Sequence, residues 1–198
     1  MKKVLALDVA YAHIGWAVIE PYRSKDTIVA AGCIENKSEP KKKKEVRAAS
    51  LRVERISRLY LELRDIYREY EPDCLVAELP HGGGKSNTAV ASMAMGTAIV
   101  SCLVAQFDIP AEWTTPTEGK VAMCRKKTAN KVEMQMTALD KYSELRTIVP
   151  VSKTSKTGRP GWFEHSADAI AAYLAARRSA LIRLLADANT GCAGGTLF

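Results

Sequence analysis

With 198 residues, 47% hydrophobic and 26% charged, the chain is long enough to bury a substantial core as one domain. A net charge of +7 and a pI of about 9.2 favour a polyanionic partner, although basic proteins without one are common. Five scattered cysteines (Cys33, Cys74, Cys102, Cys124, Cys192) without a C-x-x-C pair, and three histidines without paired spacing, argue against a disulfide framework and a structural zinc site.

Met1-Lys2-Lys3 leads straight into an apolar run, so no signal peptide is expected and a cytoplasmic location is the expectation. Three strands are predicted over about 3–10, 13–20 and 27–35, the first two joined at Tyr11-Ala12, with Gly15 and Gly32 interrupting the pattern. The run Pro40-Lys41-Lys42-Lys43-Lys44 reads as a solvated loop or a nucleic-acid contact. From Glu45 to Tyr70 the stripe Ala49, Val53, Ile56, Tyr60, Leu63, Tyr67, Tyr70 predicts an amphipathic helix that packs on the sheet or on a partner subunit.

A fourth strand ends at Glu78, followed by Gly82-Gly83-Gly84 and an uncharged stretch from Ser86 to Phe107. That stretch is long enough to cross a bilayer, but its Ser, Thr, Asn and Gln content predicts a helix buried in a globular core, and no membrane span is expected. Ile109–Thr115 reads as a fifth strand, and a helix is predicted from about Thr128, its N-cap, to Tyr142. Val151 to Trp162 reads as a flexible basic loop, a last helix covers about 164–187, and 189–198 reads as a frayed tail beyond a single domain, 1–188. This order predicts an α/β fold: a mixed five-stranded sheet, three antiparallel N-terminal strands and then parallel ones, with helices on both faces.

Three carboxylates stand out: Asp8 within Val4-Leu5-Ala6-Leu7-Asp8-Val9, Glu78 at the end of Cys74-Leu75-Val76-Ala77-Glu78, and Asp168 near a helix start. An ionised carboxylate in an apolar strand is costly unless compensated, and a divalent cation with oxygen ligands compensates it well. Asp8 has a second reading, as a structural cap on a neighbouring backbone amide. His165 and Asp168, three apart on one helix face, serve either as ligands or as a macrodipole pair. Gly84-Lys85-Ser86 is not a Walker A motif, because Leu79 stands where its first glycine belongs. The glycines form a mobile mouth with Lys85 available for a phosphate, or a plain connection. The stretch Lys120 to Lys131 carries Arg125, Lys126 and Lys127 and no acid. It reads as a DNA contact or as a solvated face.

An Asp in a first strand, a Glu at a strand end and H-x-x-D on the last helix resemble the RuvC-type Holliday junction resolvases of the ribonuclease H-like superfamily, including phage-type members. Lys120 and Lys131 resemble that family's two functional lysines, and Ser92-Met93-Ala94-Met95-Gly96 resembles the helix after its catalytic Glu. The resemblance covers about Met1 to Arg178. It implies an endonuclease dependent on Mg²⁺, with Mn²⁺ substituting, that holds two ions per site and nicks two strands of like polarity at a four-way junction. Asp8, Glu78, His165 and Asp168 would be the metal ligands. Lys131 and Lys120 would offset charge on the phosphate. His81 and Lys85, with Arg125, Lys126 and Lys127, would touch branched DNA, and a homodimer would make the two related cuts. The chain departs from the family pattern in having Val9-Ala10-Tyr11 after Asp8 in place of Pro-Gly, and His81 where an aromatic wedge is usual. Alternative readings are a broader branched-DNA nuclease, a nuclease for RNA–DNA hybrids and a non-catalytic branched-DNA binder. Sugar kinases and related ATPases are disfavoured because the first hairpin lacks their glycines.

Overall fold

The computed structural model describes residues 1–36, 48–79, 86–153 and 155–192. The lysine run at 41–44, the glycine loop, His81 and Lys85 lie outside them. Strands β1 (Val4–Val9), β2 (His13–Glu20) and β3 (Thr27–Glu35) form an antiparallel meander. Strands β4 (Cys74–Glu78) and β5 (Ala111–Thr114) then add parallel to β1, giving the order β3-β2-β1-β4-β5. The predicted mixed five-stranded sheet is therefore the one that forms.

Strand β1 is apolar on both sides because both its faces are covered. Val4 and Ala6, with Cys74 and Val76 of β4, join the core beneath α6 (Phe163–Ala176). Leu5 and Leu7, with Leu75 and Ala77, join a second core beneath α1 (Ala48–Tyr70) and α2 (Asn87–Phe107). Each fully buried leucine contributes about 1.5–3 kcal/mol.

The register of α1 differs from the predicted stripe. Leu59 and Leu63 are its buried centre at 1% and 0% exposure, whereas Val53 is 62% exposed. The apolar face is wide enough to lie between the sheet and α2, so its middle is set by tertiary packing, not by the first apolar residue of the pattern. Helix α2 corrects a second expectation. Its window Val90–Phe107 has a mean hydropathy of 1.7, yet only 22% of that window is buried. One side packs on β1, where a Cβ on Gly96 would stand 3.1 Å from Val9 Cγ1. The other side is open.

A helix absent from the prediction, α3 (Pro116–Cys124), follows β5. Its start was readable: Thr115 and Glu118 form a capping box with Pro116 at the first position. Helix α4 (Lys131–Lys141) starts at the N-cap Asn130, paired with Glu133, and not at Thr128. A short α5 (Leu145–Ile148) follows. Within the loop before α6, Arg159 is buried and donates to the carbonyls of Arg146 and Val149, so it is a brace and not free basic surface.

The predicted last helix is two helices, α6 and α7 (Ala180–Cys192). At the break, Arg177 Nε donates to Asp26 at 2.8 Å and Ser179 Oγ accepts from the Ile182 amide. Residues 189–192 are not a frayed tail but the last turn of α7. Asn189 is 1% exposed, accepts from the Lys2 amide and donates to the Lys2 and Pro21 carbonyls.

Candidate active site

Strand register sets the first two carboxylates side by side. Asp8 is the parallel partner of Glu78, and both lie on the α6 face, at the carboxyl ends of β1 and β4. The same row continues to Gly15 on one side and Thr114 on the other. Thr114 Oγ1 is buried and has no hydrogen-bond partner among the described residues.

Helix α6 supplies the other half of the site, and a glycine admits it. A Cβ on Gly15 would stand 2.2 Å from the His165 backbone carbon and oxygen, closer than any atoms pack. Ser166 Oγ donates to the Gly32 carbonyl at 2.7 Å and pins the same turn to β3. His165 Nδ1 thereby reaches Asp8 Oδ2 at 3.2 Å. The ring of His13 stacks on that of His165, centroids 4.5 Å apart. Asp168 follows one turn along α6, on the same helix face.

The electrostatics of this corner are those of crowded, half-buried acids. Burial, then the charges of Asp8 and Asp168, push the Glu78 carboxyl up to about 8, with Lys120 opposing. Burial, then Asp8, push Asp168 up to about 7 against the pull of His165 and Lys131. The hydrogen bond to Asp8 raises His165 above the usual imidazole value. Asp8 contributes to all three shifts. Three hard carboxylates and an imidazole, with the charged forms of Glu78 and Asp168 disfavoured by burial and by their neighbours, form a donor set that a divalent cation suits. Among the described residues no three acidic, histidine or cysteine side chains are drawn tightly enough to enclose an ion. In the protein alone, Asp8 and His165 bond to each other.

The two lysines enter from separate helices. Lys120 on α3 acts on Glu78. Lys131, the first residue of α4, bonds Glu164 Oε1 at 2.7 Å, and Glu164 Oε1 also stands 3.7 Å from His165 Nε2. Glu164 and His13 are site residues that the sequence reading did not select. Glu164 had a signal in its position directly before the H-x-x-D pair; His13 had none until the β1–β2 hairpin was built. Of the predicted DNA contacts, Lys126 is paired with Glu133, while Arg125 and Lys127 are exposed.

No family model matches the chain. It is 26% identical over 173 residues to a crossover junction endodeoxyribonuclease RuvC from Finegoldia magna, covering 87% of this chain and 90% of that one. By sequence and by fold the chain is similar to RuvC. Thermus thermophilus RuvC, solved in complex with a Holliday junction substrate, superposes with a TM-score of 0.65 at 17% identity, over 88% of this chain and 92% of that one. The yeast mitochondrial Holliday junction resolvase superposes with a TM-score of 0.55 at 10% identity, over 94% and 84%. The mixed sheet capped by α6 is thus the RuvC architecture, with its carboxylate-bearing strands at the centre.

Proposed function

We propose that the protein is a structure-selective endodeoxyribonuclease that resolves four-way DNA junctions by paired symmetrical nicks. The observation that carries this is the meeting of Asp8 and Glu78, adjacent in the sheet, with His165 and Asp168 from α6. The relatives named above, a crossover junction endodeoxyribonuclease and Holliday junction resolvases, supply the substrate class.

RuvC-type nuclease chemistry depends on divalent metal. Here Asp8, Glu78, Asp168 and His165 would hold it, as Mg²⁺ or Mn²⁺ and as two ions per site. When bound, the metal would lower the pKa of the attacking water and stabilise the leaving oxygen. The chain's own groups do the rest. Asp8 holds His165 by its Nδ1, which leaves Nε2 facing Glu164. Lys131 is held by Glu164 beside the carboxylates, within their field. A scissile phosphate entering there meets the ammonium groups of Lys131 and Lys120, which offset the charge that builds on it.

Two cuts related by symmetry call for two sites related by a two-fold axis, and hence a homodimer. The open side of α2 offers a seat for the second copy: a groove of about 620 Å³ against α1, lined by Ile56, Tyr60, Leu61, Met95, Ala98 and Ile99. Leu61 is 43% exposed there, an apolar area that a monomer would leave wet.

The test is a supercoiled plasmid that extrudes a cruciform. Paired nicking linearises it in Mg²⁺ and leaves it intact in chelator. Single random nicks that relax the plasmid without linearising it would contradict the reading.

A further inference from the structure

We propose that a basic groove formed by α3, α4 and α6, on the flank turned away from the carboxylates, holds the phosphate backbone of a duplex arm of the branched substrate. This rests on the nuclease reading above. The groove has a volume of about 640 Å³, and Arg125, Lys127, Lys141 and Arg178 line it. They come from separate places: the C-cap of α3 and the turn after it, the last turn of α4, and the residue beyond the C-cap of α6. All four are exposed.

Their neighbours are engaged and they are not. Lys126 is paired with Glu133 and Lys131 with Glu164, whereas these four make no ion pair among the described residues. The acid that also lines the groove, Glu118, bonds back to Thr115 in its capping box. Four cations converging on one groove repel one another unless a polyanion lies between them. Cations in last helical turns also complement the macrodipole. That accounts for Lys141 on α4, but it does not require three helices to direct their cations into one groove.

The geometry suits an extended partner. At about 100° per residue, Lys120 lies on one flank of α3, while Glu118 and Ala122, which line the groove, lie on the other. Ala176, the last residue of α6, follows Asp168 by eight residues, about 12 Å along the helix, and Arg178 lies just beyond it. Duplex DNA rises about 3.4 Å per step, so the groove meets backbone about four base pairs from the cut. Recognition would be electrostatic and independent of sequence.

The variant Lys141→Gln/Arg178→Gln tests this, since both side chains are exposed and outside the carboxylate corner. Affinity for a four-way junction is measured against salt, with and without a neutral methylphosphonate patch about four to six nucleotides from the branch. The expected result is a slope of log K against log salt that falls by about 2, near 0.9 per lost contact. The neutral patch should then weaken the wild type but not the variant. An unchanged slope overturns the proposal, and a lowered Tm with that unchanged slope assigns the cations to helix capping. A wild type that binds no branched DNA would remove the nuclease reading itself, a failure visible without any variant.

Discussion

Gly15 lies beneath His165 so closely that a single added methyl group would overlap the His165 backbone, 2.2 Å away. The contact couples the β1–β2 hairpin to the helix that completes the carboxylate corner, because Asp8 is the register partner of Gly15 and the hydrogen-bond partner of His165. Gly15→Ala should therefore push α6 off the sheet. The expected loss is about 1–3 kcal/mol of stability and about a hundredfold in cleavage rate, the scale of a 1 Å misplacement. Urea unfolding and single-turnover cleavage measure the two; an unchanged rate would mean that α6 does not set the site geometry.

Asp8→Asn keeps the shape of the site and removes its central charge. Cleavage should fall at least about a thousandfold, equivalent to about 4 kcal/mol of barrier. Junction affinity should stay within about tenfold, because exposed lysines and arginines carry the electrostatic attraction. Gel-shift and cleavage assays on one preparation separate the two. Parallel loss of both would mean that Asp8 holds the fold.

The raised carboxyls set a pH dependence without metal. Glu78, at about 8 when folded, and Asp168, at about 7, both stand above their unfolded values. Between those limits the folded state binds more protons than the unfolded one, so stability falls as pH rises from about 4 to 8. His165 works in the same direction, since its raised value gives stability that is lost as pH climbs through it. In chelator, the melting temperature should be lower at pH 8.5 than at pH 6. Added Mg²⁺ should recover most of that difference, through about 2.7 kcal/mol at a hundredfold excess over Kd. A metal-independent melt that is flat with pH would contradict the crowded-acid account.

Much of this corner was legible in the chain. The apolar runs around Asp8 and Glu78 fixed two strand carboxylates, and strand order then made them neighbours. His165 and Asp168 followed from helical spacing. What escaped was set by distance in space rather than in sequence. His13 becomes a site residue only when β2 folds back, and Gly15 reads as a flaw in a strand until α6 is seen against it. The α1 register and the open side of α2 were missed for a related reason: an apolar helix reads the same whether its second face meets a core or another subunit.

His13→Leu should retain the fold but free the His165 ring. Losing a stacked pair costs about 0.5–1.5 kcal/mol, so cleavage should drop by roughly threefold to tenfold, with junction affinity unchanged. Restoring an aromatic ring with His13→Phe should recover most of the rate; failure of Phe to rescue would assign His13 a polar role.

Ala98→Glu places a charge in the groove between α1 and α2, where Ala98 is exposed. Sedimentation should report a dimer for the wild type and a monomer for the variant, and plasmid linearisation should give way to single nicks. A dimer that survives the substitution would place the interface elsewhere.

The most direct measurement is cleavage of a labelled four-way junction in Mg²⁺ beside a linear duplex, a three-way junction and an RNA–DNA hybrid of matched sequence. Symmetrical paired nicks confined to the four-way junction are the predicted result. Tight junction binding without cleavage in Mg²⁺ or Mn²⁺, or faster cutting of the hybrid, would contradict it.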